Sequence, residues 1–194
     1  QRLPAGKNLP MIQVTNMLNA ALKLDKIAWA KQFLQEYAGA ANEEPGAKPP
    51  RGRPHPKYAV RIWWAMLYLA EGEFQQAADT MPEYKRYSDI EDIYFFAVAA
   101  ATDTKIQYEL NILDENLIRN SIARIERNRD LPKERRDERL RFFRTARRLF
   151  NLKTKKETRR NADISKEISD LQEMLDQNVT VDWEWLEEKI GELA

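Results

Sequence analysis

Acid–base, metal and thiol chemistry each need a converging set of groups, and this chain is poor in the usual ones. Cysteine is absent, and the single histidine, His55, stands between Pro54 and Pro56. Thiol catalysis, disulfides and thiolate metal sites are therefore excluded for these 194 residues. A histidine zinc site or a Ser-His-Asp arrangement is not expected either. Acidic pairs do occur, at Glu43-Glu44 and Glu187-Glu188. No second member, histidine or glycine-rich phosphate loop accompanies them, so they read as solvated side chains. The expectation is a chain that is not an enzyme, with no cofactor and no metal site.

Two features point instead to binding. The first is Pro50-Arg51-Gly52-Arg53-Pro54, flanked by Lys48 and Lys57. It resembles the core of an AT-hook, in which an extended Arg-Gly-Arg lies in an A·T-rich minor groove. Narrow minor grooves carry enhanced negative potential, and a glycine lets the backbone approach the groove floor. Arg51, Gly52 and Arg53 are thus candidate nucleic-acid contacts, although a proline-rich linker explains the same residues. The second feature is charge asymmetry. Residues 119–160 carry 17 Lys and Arg against 6 Asp and Glu, and residues 163–194 carry 2 against 10. Such blocks suit an anionic partner, or they screen one another as consecutive antiparallel helices. Over the whole chain the formal net charge is only +1, which favours neither a nucleic-acid nor an acidic partner.

The elements that carry these residues read almost entirely as helix. Apolar residues recur at helical spacing from about Leu9 to Leu22 and from about Lys26 to Ala38. Residues 42–56 then hold a Pro- and Gly-rich loop that cannot form a core helix. Further helices are expected over about 57–71 and 73–84. Ser88-x-x-Glu91 has the form of a capping box, which predicts a helix start at Ser88. Thr104-x-x-Gln107 predicts another start, with a long helix to about Asn128. Pro132 suits a first helical turn, so a helix over about 132–152 follows. The last two helices are expected over 163–177 and 182–193. Trp183 and Trp185 lie about 200° apart on the last of these, so they cannot both face one strip of core. No apolar run is long enough to span a membrane and no leader pattern opens the chain, so a cytoplasmic location is expected. Gln1 in place of Met predicts that a segment precedes this one.

One arrangement occurs twice. Leu24-Asp25-Lys26-Ile27-Ala28-Trp29-Ala30 and Ala70-Glu71-Gly72-Glu73-Phe74-Gln75-Gln76-Ala77 both run helix end, polar turn, large apolar residue, small Ala three positions later. Ala30 and Ala77 are 47 positions apart, and excising residues 42–54 leaves 34, one tetratricopeptide period. Residues 57–84 resemble a tetratricopeptide repeat through Tyr68, Gly72, Phe74, Ala77 and Met81. The first hairpin departs from that pattern with Asp25 in place of Gly, and a third would carry Glu109 where a small Ala belongs. More widely, Ala28–Tyr37, Leu140–Arg144 and Asp182–Ile190 are similar to the C-terminal part of uncharacterised bacterial tetratricopeptide-like proteins. The resemblance implies an all-α, tetratricopeptide-like α-α superhelix of two to three helical hairpins over residues 1–128. Longer capping helices would follow over 129–194, the whole forming one continuous structural unit. In such an array the first helix of each hairpin lines the concave side. Thr15, Asn19, Ile62, Met66, Leu69, Tyr94 and Val98 would then form a partner-binding face, unless they are ordinary core. The expected function is a scaffold or protein-binding domain. Its ligand would be another protein or the preceding region of its own chain, with nucleic-acid association as the alternative.

Overall fold

In a computed structural model, residues 9–41, 56–83, 87, 89–158, 163–177 and 180–194 are described. Among them every regular element is a helix: α1 (Met11–Lys23), α2 (Ile27–Ala41), α3 (Pro56–Ala70), α4 (Phe74–Thr80), α5 (Ile93–Glu109), α6 (Glu115–Arg127), α7 (Lys133–Thr158), α8 (Ser165–Gln177) and α9 (Trp183–Leu193). The chain forms two compact units, residues 1–106 and 107–194. The division falls within α5.

Three helices end in the same way. After α1, the Asp25 N–H donates to Leu22 O and the Lys26 N–H to Ala21 O. After α3, Gly72 donates to Leu69 O and Glu73 to Tyr68 O; after α5, Asn111 donates to Tyr108 O and Ile112 to Gln107 O. This pair of bonds is the Schellman motif, which satisfies the orphan carbonyls of a final turn and requires a left-handed residue. Asp25 (φ 54°), Gly72 (φ 78°) and Asn111 (φ 58°) supply it. Only glycine takes that conformation without strain; Asp and Asn accept it at modest cost.

In unit 1, α1 and α2 pair across the first of these turns and α3 and α4 across the second, while α3 also packs on both α1 and α2. Its core includes Val14, Leu18, Ala30, Leu34, Ala59, Ile62, Trp63, Leu67 and Ala77. Ala30 and Ala77 are fully buried, so the two small residues do sit where helices approach closely. A run of rings crosses the unit: Trp29 stacks on Phe33 at 5.3 Å, Phe33 on Tyr37, and Tyr37 and Phe95 each meet Trp63 edge-on at 5.6 and 6.1 Å. Arg61 on α3 ties down the end of α4, its guanidinium donating to Thr80 O and Met81 O at 2.8 and 2.9 Å. A cation at a helix C-terminus also faces the negative end of the macrodipole.

The start of α5 differs from the expectation. Ser88 lies outside the described residues, and the helix begins five residues later, at Ile93. Asp92 caps it, its carboxylate accepting from the Phe95 N–H at 2.9 Å. Ile90 belongs to the preceding link, where it is buried with Tyr87, whose hydroxyl donates to Asp103 at 3.0 Å. Thr104 does not open a new helix. Its hydroxyl turns back to Ala100 O inside α5, as threonines in helix interiors do. The break comes instead at Asn111, and Asp114 caps α6 by accepting from the Asn116 N–H.

In unit 2, α7 packs on α6 and α9, and α8 packs on α9. Leu140, Phe142, Phe143, Ala146, Leu149 and Leu152 are buried along α7, too wide an arc for contact on one side only. Phe142 and Phe143 are thus core, not platforms for stacking bases. The helix also runs beyond the expected end at 152, to Thr158.

Candidate interaction surfaces

The seven residues assigned to a concave face do not share one environment. Thr15, Ile62 and Met66 are buried in unit 1. Thr15 Oγ1 accepts the Trp63 indole N–H at 2.9 Å and donates to Met11 O at 2.9 Å. This relay satisfies a buried indole, which explains a polar residue in the core. α1, α2 and α4 all pack on α3, and, buried as they are, these three residues do not line an open groove as expected. Leu69, Tyr94 and Val98 are half-buried, and Asn19 is exposed. Arg51, Gly52 and Arg53 lie outside the described residues.

The basic stretch on α7 is largely engaged inside its own unit. Arg144 pairs with Glu126 at 2.7 Å and Arg147 with Glu115 at 2.9 Å, both on α6. Lys155 pairs with Glu167 on α8 at 2.6 Å, which holds that exposed carboxylate below its ordinary pKa. Lys153 donates to Tyr108 O, at the end of α5, at 2.9 Å and lies over the Tyr108 ring. Lys156 donates to Leu193 O, at the end of α9, at 2.8 Å. Of these ion pairs only Lys155–Glu167 joins the basic block to the acidic one; the other two carboxylates come from α6.

Sequence reasoning missed an ion cluster around Lys189. Its ammonium meets Glu192 at 2.7 Å, Glu188 at 2.8 Å and Glu109 at 3.1 Å. The Lys189 side chain is 7% exposed and that of Glu109 12%, against 62% for Glu188 and 52% for Glu192. Glu109 also accepts the Trp185 indole N–H at 3.2 Å, and the Trp185 ring packs edge-on against Tyr108 at 5.2 Å. Trp183, two residues earlier, is 48% exposed, so the two tryptophans diverge as helix geometry requires. Burial pulls the Lys189 pKa down, but the hydrogen bonds to Glu188, Glu192 and Glu109 outweigh it and hold it above the ordinary lysine value. A lysine nucleophile or base needs the opposite shift, so this ammonium acts as a fixed cation. The Lys189–Glu192 pair has the i,i+3 spacing that helix geometry favours; Glu109, 80 positions away, carries no signal. Tyr108, beside the cluster, is pushed up to about 12 by burial first and by Glu192 and Glu109 second.

Among the described residues, no group of three or more His, Asp or Glu is placed to hold a metal ion, and no helix is long and apolar enough to cross a membrane. No protein-family model, curated protein or solved structure matches the chain.

Proposed function

We propose that this chain is a non-catalytic, cytoplasmic interaction module built from tetratricopeptide-like helical hairpins, and that it presents its surface to another protein. The observation that carries this reading is the recurrence of one turn. Asp25, Gly72 and Asn111 end their helices with the same two backbone bonds and the same left-handed residue. The Asp25 and Gly72 turns each join two helices that pack on one another, α1 on α2 and α3 on α4, and stacked helix pairs of this kind are the unit of repeat architectures, whose extended faces usually bind other proteins. The stacking of α3 on both helices of the first hairpin supports it, as does the fixed charge of Lys189. The cations of α7 that already bond carboxylates and carbonyls favour a protein partner over nucleic acid.

The test is capture of partners by the immobilised full chain, with and without nuclease and across a salt series. Protein partners that survive nuclease and tolerate salt are the expected result. Recovery of DNA or RNA that nuclease, salt or the Arg51→Ala/Arg53→Ala double substitution abolishes would overturn the reading, because phosphate contacts weaken steeply with salt.

A further inference from the structure

We draw no further inference here: the strongest candidate, the outer face of α9, where Trp183 is exposed beside Glu184 and Glu187, is a row of carboxylates next to one exposed ring, and nothing in the structure shows what covers it.

Discussion

Replacing Lys189 with Met removes one charge and keeps most of the stem, and its cost follows from the unequal exposure of the three carboxylates around it. Glu188 and Glu192 are more than half exposed. They rehydrate when the ammonium is lost, and the loss of such surface pairs costs about 1 kcal/mol or less each. Glu109 is only 12% exposed. Without Lys189 its charge keeps one donor among the described residues, the Trp185 indole. Stranding one partner of a buried pair costs about 3–5 kcal/mol, and some residual exposure of Glu109 puts Lys189→Met near the lower figure, ~3 kcal/mol. For a unit of this size that lowers the midpoint by roughly 10–20 °C. Glu188→Gln and Glu192→Gln should each stay within about 1 kcal/mol of wild type. The decisive variant is Lys189→Met/Glu109→Gln, in which no buried charge remains and the amide oxygen still accepts from Trp185. It should recover about 2 kcal/mol, a coupling of the size found for residues in one network. Hydrogen exchange of the α9 amides through a urea series reads unit 2 independently of unit 1. If Lys189→Met costs less than about 1 kcal/mol, or if the two substitutions simply add, Glu109 is solvated and the burial argument is wrong.

Tyr108 predicts alkaline sensitivity of the same unit. Its folded pKa, about 12, lies above the 10.0 of an unconstrained tyrosine. The neutral form is favoured by folding, so this contribution is whole below pH 10 and disappears as pH rises through 12; it amounts to ~3 kcal/mol. Unfolding of unit 2 followed against pH should steepen in that window, and Tyr108→Phe should flatten it. Gly72→Ala meets no atom within 4 Å but must keep φ near 78°, so it should cost about 1–2 kcal/mol from the backbone alone. Asp25→Gly, at the equivalent turn, should stabilise by several tenths of a kcal/mol in urea unfolding, because glycine takes the left-handed conformation freely. Ser121 is fully buried in α6, and its hydroxyl has no hydrogen-bond partner among the described residues. Ser121→Ala should therefore raise the midpoint of thermal unfolding, by about 1 kcal/mol in stability; a loss would reveal a bond to ordered water.

Local chemistry made the helices legible, while their partners were not. Leu24-Asp25-Lys26 and Glu71-Gly72-Glu73 announce turns because Asp and Gly tolerate the left-handed region, and the buried Ala30 and Ala77 follow from the same pattern. Asn111 carries the same signal, because Asn also tolerates that region. Thr104 and Gln107 imitate a cap, and a threonine that bonds its own i−4 carbonyl leaves no trace in the sequence. The start of α5 was misplaced for a related reason: Ile90 looks like the first apolar position of a helix but anchors the link before it. The concave-face list failed at Thr15, Ile62 and Met66 because periodicity identifies the apolar side of a helix without saying how many neighbours cover it. Trp63 and Thr15 lie 48 positions apart, and neither residue type hints at the other.

The fate of the α7 cations shows why a basic run is weak support for a nucleic-acid surface. Between Leu140 and Lys156 the sequence has seven Lys and Arg and no Asp or Glu, which in isolation suggests a strip for binding phosphates. The surrounding helices present the opposite demand. The ends of α5 and α9 expose carbonyls that their own helices cannot satisfy, and Lys153 and Lys156 reach them. α6 and α8 bring Glu115, Glu126 and Glu167, which Arg147, Arg144 and Lys155 meet. A helix whose cations reach four others needs side chains long enough to cross to each of them, and Lys and Arg supply both the reach and the complement to carbonyl and carboxylate oxygens. The same device works in unit 1, where Arg61 on α3 holds the end of α4. Charge on these helices is therefore placed to close the ends of their neighbours.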